Sequence, residues 1–561
     1  MRRKHMLSLL MLCMGVALLV AATTVGVASS ATQKASSAKS LRGGTLNVAQ
    51  SAGAFDTLDP GLAYVTNDWE TLYSTQLLLV NFPNKAGKAG TQLFPEAAQS
   101  FPTISKNGKL VTFHIRKGLK FNTGAPVNAK NYQRAWERIL SPKMYAQYGT
   151  FDQLNKMVVG AQAFTDGKAA HISGISAKGQ TLAFHLVKPN PVFTSILGMQ
   201  WFGAVPSNMP YTKDPGGITK YASAGPYYIA SNQLGRTTVL KRNPHWKNGQ
   251  FPIQANPNQI VINSFPNSDG ESALLQIEKN QLDFDLAGVP SQDVSTVSKK
   301  YGGPNKGQFH VGNDFCIIWE AFNNAQPPTN NVQVRKALNY AIGRTPIIQQ
   351  LGPYAGKSSD QILIPGLTGY KKLKAYGNYP NFAKAKAVLG NAGNNQPAIN
   401  IYYNAASHFR TNEAEFEQSQ IQHIGMKANL MPSDPNDYYG PIETKGTKYN
   451  IAHSGWCADY FDPFDFINVN FDGRSIAATG NVDYFYFNNS KFNKLMDHAA
   501  SLSGAKRAAA YAATDKALMV KYAAAFPLYI PNFRYLTSKR VHNVIYNSYF
   551  GYPILNAMSV G

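Results

Sequence analysis

The chain has 561 residues, of which 44% are hydrophobic and 12% aromatic, so it can fill a large core and is not an intrinsically disordered protein. Its formal net charge is +23, but beyond the N-terminal head the basic residues occur singly or in pairs such as Lys299 and Lys300. We therefore expect a solvated basic surface and no nucleic-acid-binding patch.

The N-terminus has the pattern of a secretory signal peptide. Three basic residues at positions 2–4 precede an apolar run over 6–22, and small residues follow. We predict a signal peptide over residues 1–31 and a flexible Ser/Ala/Lys-rich lead-in over 32–42; an uncleaved N-terminal anchor is the alternative. Cys13 lies inside the apolar run rather than at its end, which does not favour lipidation. No later stretch is long and apolar enough to span a bilayer, so we expect a soluble, exported protein.

The remaining chain mixes strands and helices. TLNVAQ, from position 45, predicts a strand, and the spacing of apolar residues over 69–80 predicts a helix. Alternating residues over 111–116 predict a half-buried strand, and Asn128 is placed to cap a helix. The part left after residue 42 is too long for one core and sufficient for two or three domains.

Similar patterns continue through the second half. Residues 223–249 predict two strands joined near Gly235, and residues 271–294 predict a helix followed by a short strand. An apolar strand is predicted over 317–322, and Asn331 precedes an amphipathic helix. The irregular alternation of strands and helices indicates an α/β protein.

The densest group of unusual residues lies in YNIAHSGWCADYFDPFDFINVN, residues 449–470. The apolar lead-in predicts a short buried strand, which Asp462-Pro463 should end. We interpret Asp462 and Asp465 as turn residues that cap their own backbone. Asp459 lies between Trp456 and Tyr460, whose rings would exclude water and strengthen its attraction for a cationic group, although an acid in a turn is the alternative.

Several segments resemble the extracellular or periplasmic solute-binding proteins of family 5, the receptors of ABC peptide importers. GWCADYFDP is similar to the family's cleft motif, and residues 108–140, 223–249 and 323–342 resemble three further family segments in the same order. The resemblance covers about residues 43–545. It implies that Asp459 pairs with the α-amino group of a bound peptide.

The resemblance also implies a fold: two α/β lobes around a hinge, the type II periplasmic-binding-protein fold with an extra inserted domain. We expect the first lobe to combine 43–90, 210–312 and 530–561, the inserted domain to cover 90–210, and the second lobe to cover 313–530. Closure of the lobes on a ligand would follow from contacts that both lobes make at once.

Further candidate ligand contacts follow from the same comparison. An extended peptide could pair its backbone with the strand over 317–323, although an ordinary core strand is the alternative. The peptide carboxylate needs a cation, and the segment AASHFRT offers one. The candidate ligand-binding residues are Asp459, Trp456, Tyr460, Cys457, Asn323, Arg410, His408 and Tyr145.

Two cysteines, Cys316 and Cys457, remain once Cys13 leaves with the signal peptide. Disulfides persist in exported proteins, and some family members carry a bridge in this region, so a Cys316–Cys457 disulfide is the expectation; two free buried thiols are the alternative.

The expected function is a monomeric receptor that captures peptides and delivers them to an ABC-type permease. We find no signature of a hydrolase, nucleotide-binding or zinc site, so we expect no enzyme activity, no cofactor and no metal. Two alternatives stay open. The same fold could bind a nickel chelate, haem or an oligosaccharide, or the chain could be an exported hydrolase.

Overall fold

A computed structural model describes residues 42–51, 57–144, 146, 153–213, 220–233, 235–265, 270–393, 396–405, 407–434 and 437–561. The predicted signal peptide, nearly all of the lead-in, and Tyr145 lie outside these residues, as does the side chain of His408. Within the described ranges, no helix combines the length and the apolar character that crossing a membrane requires.

The first sheet, here called the N-terminal sheet, has five strands, and its first strand confirms the prediction from TLNVAQ. Thr45–Ser51 lies parallel to Gln259–Phe265, and the predicted hairpin of residues 223–249 forms from two antiparallel strands. In spatial order the strands are Phe284–Asp285, Thr45–Ser51, Gln259–Phe265, Thr237–Arg242 and Tyr227–Gln233.

A second sheet, the inserted sheet, falls in sequence between strands of the first. Val111 and Phe113 point into the core from Leu110–His114, which confirms the half-buried strand. Asn128 caps the helix Ala129–Leu140, as predicted, by accepting a hydrogen bond from the backbone N–H of Lys130 at 3.0 Å. The four antiparallel strands are, in spatial order, Thr103–Ile104, Leu110–His114, Thr181–His185 and Ile175–Lys178.

The third sheet, the C-terminal sheet, carries the aspartate motif. Its main path runs in the order Phe309–Asn313, Phe526–Leu536, Cys316–Phe322, Ile451–Cys457, Ile399–Tyr403 and Ala428–Pro432, and Gly356–Ser358 pairs with Phe526–Leu536. We call Cys316–Phe322 the central strand and Ile451–Cys457 the motif strand. In the part of the chain that the structure describes, the remaining strands form three short pairs: Val80–Asn81 with Phe94–Pro95, Val541–His542 with Ser559–Val560, and Tyr546–Asn547 with Tyr552–Pro553.

The position of the central strand overturns one prediction. It pairs with the motif strand on one side and with Phe526–Leu536 on the other. The residues from Ile318 to Glu320 therefore have both backbone edges occupied within the sheet, so this part of the strand is ordinary core and is not free to pair with an extended peptide.

Helices cover the sheets. The helix predicted over 69–80 begins earlier and ends at Thr75, because the chain becomes extended at Gln76 and the backbone N–H of Leu78 donates to the buried carboxylate of Glu96 at 2.8 Å. The helices of eight or more residues are Thr66–Thr75, Ala129–Leu140, Glu271–Glu278, Val332–Ala341, Phe382–Gly390, His408–His423, Pro463–Phe471, Ser490–Ser501 and Gly504–Lys516. The shorter helices are Gly87–Gly90, Leu154–Met157, Ala161–Thr165, Phe193–Ile196, Val294–Lys300, Arg344–Gln350 and Tyr439–Glu443.

The mixed α/β class is thus confirmed. The N-terminal and inserted sheets fall within the ranges expected for the first lobe and the inserted domain. The C-terminal sheet differs slightly from the expected second lobe, since its strand Phe309–Asn313 begins before 313 and its strand Phe526–Leu536 continues past 530.

Candidate functional site

The aspartate motif spans the end of the motif strand and the start of the helix Pro463–Phe471, here called the motif helix. Asp462 is the N-cap of that helix and accepts from the backbone N–H of Phe464 at 2.9 Å, which confirms its expected capping role. Pro463 occupies the first helical turn, where a missing N–H costs nothing. Both carboxylate oxygens of Asp462 also accept from the guanidinium of Arg507, at 2.6 and 2.9 Å. Asp462 is therefore a structural residue.

Asp465 organises the motif around it. Its carboxylate is fully buried and accepts from the indole Nε1 of Trp456 at 3.1 Å and from the backbone N–H of Asp459 at 2.9 Å. These contacts fix the ring of Trp456 and the backbone of Asp459 relative to the motif helix. Asp465 does more than the turn role expected for it.

The backbone of Asp459 is held on both sides, since its carbonyl accepts from the hydroxyl of Tyr549. Its side chain extends toward Tyr64, whose hydroxyl donates to Oδ2 at 3.0 Å. The residue is 8% exposed, Trp456 is 7% exposed and Tyr460 is fully buried. The carboxylate of Asp459 is thus largely shielded from water and held in a fixed position. A site that binds a single cationic group requires both properties.

Tyr64 is itself fixed by an aromatic platform. Its ring stacks on Trp201 with centroids 5.4 Å apart and meets Trp69 edge-on at 6.2 Å. Both tryptophans donate their indole N–H to the carbonyl of Ala63, at 3.0 and 2.7 Å. Sequence reasoning missed Tyr64 and Tyr549, because each is distant in sequence from the motif and neither lies in a recognisable pattern.

Cys316 and Cys457 form a disulfide in the structure. The two residues face each other across the central and motif strands, with Cα atoms 3.9 Å apart. The bridge therefore ties together the strand ends from which the chain leads into Asp459.

Asn323 lies at the other end of the central strand, because the antiparallel register places Phe322 beside Ile451. At about 3.3 Å per residue this is roughly 20 Å from the cysteine end. Its buried side chain donates to the carbonyl of Thr447 at 3.3 Å and accepts from the N–H of Ala325 at 3.1 Å. The structure does not bring Asn323 together with Asp459.

Arg410 and His408 begin the helix His408–His423, here called the long helix, whose N-cap is Ser407. The guanidinium of Arg410 contacts Oε2 of Glu413 at 2.5 Å, and the side chain is 21% exposed. The acidic neighbours Glu413 and Glu320 raise the pKa of this guanidinium despite its burial, which alone would lower it. Arg410 is thus paired within its own helix, and its role toward a ligand carboxylate stays a prediction.

A cavity of about 590 Å³ lies elsewhere, between the inserted region and the N-terminal sheet. Its walls include Asn122, Met209, Tyr221 and Tyr228. None of the candidate ligand residues lines it, so we do not associate it with the aspartate site.

Comparison with known proteins shows the class of protein to which this fold and site belong. The family model for bacterial extracellular solute-binding proteins, family 5, matches residues 92–478. The chain belongs to this family.

Individual relatives agree with this assignment. The chain is 24% identical over 416 residues to the oligopeptide-binding protein OppA of Bacillus subtilis, covering 70% of this chain and 72% of that protein. It is 26% identical over 444 residues to heme-binding protein A of Haemophilus influenzae, covering 74% and 75% respectively. Among solved structures, a clavulanic acid biosynthesis oligopeptide binding protein superposes with a TM-score of 0.81 at 22% identity, over 93% of this chain and 96% of that one. These likenesses confirm the two-lobed α/β fold.

Proposed function

We propose that this chain is an extracytoplasmic receptor that captures peptides between two lobes and delivers them to an ABC-type permease. The observation that carries the proposal is the contact between Asp459 and Tyr64, which joins the end of the motif strand to the aromatic platform at 3.0 Å. The names of relatives such as the B. subtilis oligopeptide-binding protein support peptide as the cargo.

Asp459 is the residue that would read the peptide's α-ammonium group. An ionised carboxylate has two oxygens and about four acceptor positions, so it is able to accept from a hydroxyl group and from an ammonium group at the same time. Trp456 and Tyr460 limit the access of water and thereby strengthen the charge pair. Cys457, through its disulfide, would support the site rather than contact the ligand's charge.

The lobes proposed are those expected from the sequence: 43–90 with 210–312 and 530–561 for the first, 313–530 for the second, and 90–210 as the inserted domain. Tyr64 would then belong to the first lobe and Asp459 to the second. A ligand that contacts both would favour the closed arrangement, which is the hinge mechanism of two-lobed receptors.

One observation favours haem as an alternative ligand. A heme-binding relative is about as similar to this chain as the oligopeptide-binding one. Aromatic surfaces at the site suit a flat apolar ligand as well as a peptide. A fixed carboxylate, however, suits an ammonium group better than an anionic macrocycle, so peptide remains the proposal.

The remaining features of the proposal follow from the family. Family members are extracellular solute-binding proteins, so we place this chain outside the cytoplasm, in the periplasm or at the cell surface. It would act as a monomer, bind ligand without altering it, and transfer that ligand to membrane permease subunits.

Mass spectrometry tests the cargo directly. The purified protein is denatured mildly, and the small molecules released are compared with those released from Asp459→Asn. We expect a mixture of unmodified peptides from the wild type and few from the variant. Recovery of haem or sugar instead, or cleavage of peptides incubated with the protein, would contradict the proposal.

A further inference from the structure

A group of ionisable side chains lies buried beneath the long helix, on the face of the C-terminal sheet opposite Trp456. Glu320 comes from the central strand, His453 from the motif strand, and Glu413 and Glu417 from the long helix. All four are between 0% and 2% exposed. Together with Arg410 these residues are here called the buried Glu/His cluster. Apart from Arg410, none of these residues belongs to the proposed peptide site.

The buried Glu/His cluster holds more acidic groups than cations. Three buried carboxyl groups, those of Glu320, Glu413 and Glu417, share the single guanidinium of Arg410. They can be ionised together only if a further cation compensates them, because an uncompensated buried charge is strongly unfavourable. A divalent cation would supply that compensation.

Glu320 shows where the compensation is missing. Among the described residues, neither of its carboxylate oxygens has a hydrogen-bond donor, although the side chain is completely buried. The nearest ring nitrogen, Nε2 of His453, lies 3.5 Å from Oε2, too long for a good hydrogen bond. Buried carboxylates normally have partners, so this one points to a ligand at the centre of the cluster.

The distances fit a metal ion. Nε2 of His453 lies 3.3 Å from Oε2 of Glu417 and 3.5 Å from Oε2 of Glu320, and ligand atoms of the three residues lie within 4.8 Å of one another. Two ligands about 2.0 to 2.1 Å from a tetrahedral zinc ion are separated by about 3.4 Å. His453 is therefore already spaced from each of the two glutamates as two ligands of one ion would be.

The surrounding residues supply an outer layer for such a site. The other ring nitrogen of His453, Nδ1, faces Oε2 of Glu413 at 3.5 Å, and Glu413 is held by Arg410 at 2.5 Å. Histidines that bind metal usually direct their second nitrogen to a carboxylate, which fixes the tautomer and the ring orientation. Glu413 is placed to accept from His453 in this way, and Arg410 holds Glu413 in position.

We propose that Glu320, Glu417 and His453 form a structural site for a divalent transition metal of the zinc type. Imidazole with carboxylates favours such a metal over Mg²⁺ or Ca²⁺, which prefer oxygen ligands alone. The ion would join the central strand, the motif strand and the long helix. Its ligand on the motif strand, His453, lies six residues before Asp459 in the sequence. This proposal does not depend on which solute the receptor carries.

Refolding in the presence of metal tests the site. The mature protein, with its disulfide intact, is unfolded with a chelator present, then refolded with one equivalent of Zn²⁺ or Mg²⁺, desalted, and analysed for metal content and melting temperature. We expect about one zinc per chain and a higher melting temperature with Zn²⁺, but no such rise with Mg²⁺. Wild-type protein that retains no zinc and melts at the same temperature would overturn the proposal.

Variants locate the zinc. Glu320→Gln and His453→Gln each remove a ligand and should abolish retention of zinc, whereas His498→Gln, at an exposed position on the helix Ser490–Ser501, should retain it. Glu413→Gln should lower zinc affinity by about 10- to 100-fold, the usual effect of losing the partner of a metal-binding histidine. Full zinc retention in Glu320→Gln would place the ion elsewhere and overturn the proposal. If the ligand variants fail to fold, Glu413→Gln decides instead, since it leaves all three ligands in place, and an unchanged zinc affinity in that variant would overturn the proposal.

Discussion

Three aspartates within seven positions of the motif have different partners and therefore different roles. Asp462 caps the motif helix and pairs with Arg507, and Asp465 holds Trp456 and the backbone of Asp459. Asp459 is the one whose carboxylate meets Tyr64, across the proposed lobe boundary. The surroundings of each aspartate therefore give it a different role: Asp462 caps, Asp465 positions its neighbours, and Asp459 is the residue proposed to bind the ligand.

Because Asp459 and Asp462 have different partners, replacing each of them with asparagine gives a matched pair of variants. Removing one member of a buried charged pair costs about 3 to 5 kcal/mol, or roughly two to four decades in affinity. Asp459→Asn should therefore lose the rise in melting temperature that peptide causes, while the ligand-free protein melts as the wild type does. Asp462→Asn should melt at a lower temperature and still respond to peptide. Equal responses of the two variants to peptide would contradict the assignment.

The buried carboxyl group of Glu70 makes the folding stability of the protein depend on pH, and its raised pKa determines the direction of that dependence. It is fully buried, and burial raises its pKa from 4.5 to about 8, although the N–H of Leu555 donates to it at 3.1 Å. The native state therefore holds a proton that the unfolded state releases near pH 4.5, so this residue lowers stability as pH rises from about 4.5 to 8.

Replacing Glu70 with glutamine should remove the decrease in stability that occurs as the pH rises. We expect Glu70→Gln to raise the melting temperature by roughly 2 °C or more at pH 8.5 and to change it little at pH 4, since each kcal/mol shifts a large domain by about 2 °C. Thermal melts at the two pH values measure this. Glu271→Gln, at an exposed position, should show no such difference, and a pH-independent effect of Glu70→Gln would refute the explanation.

At the scale of elements, a buried ion pair connects the start of the N-terminal region to the inserted region. Arg138, on the helix Ala129–Leu140, donates to both carboxylate oxygens of Asp59 at 2.7 Å, and the two side chains are 1% and 2% exposed. Asp59 also accepts from the N–H of Gly61 and so fixes the turn that leads to Tyr64. The pair therefore helps to position the aromatic platform.

Arg138→Met should leave Asp59 buried without its partner and lower the free energy of unfolding by about 3 to 5 kcal/mol. Denaturant melts monitored by tryptophan fluorescence would measure the loss. Lys168→Met, which breaks the exposed pair with Asp166, should have little effect. A similar small effect for Arg138→Met would show that the buried pair contributes little.

Elements with local signals could be predicted from the sequence, and those set by distant contacts could not. Asn128 and Asn331 begin capped helices because the capping side chain lies within three residues of its target. The end of the first helix at Thr75 depends on Glu96, and the closed edges of the central strand depend on Phe526–Leu536. For the same reason Asp459 was found from its neighbours, whereas Tyr64, Tyr549 and the buried Glu/His cluster required the fold.

At the scale of the whole molecule, the disulfide closes a loop of 141 residues that contains most of the C-terminal sheet. The chain-entropy model assigns such a loop roughly 4 to 5 kcal/mol. We expect no free thiol in the unreduced mature protein under denaturing conditions, and a lower melting temperature after reduction. Two titratable thiols in freshly exported protein would contradict the bridge.

The central claim is that Asp459 reads the amino end of a peptide, and calorimetric titration tests it most directly. A peptide identified by mass spectrometry is titrated with a free and with an N-acetylated amino end, into the wild type and into Asp459→Asn. Acetylation should weaken wild-type binding by roughly two to four decades and should change binding to the variant much less, because the pair is already broken. Equal affinity of the wild type for the free and the acetylated peptide would contradict the account.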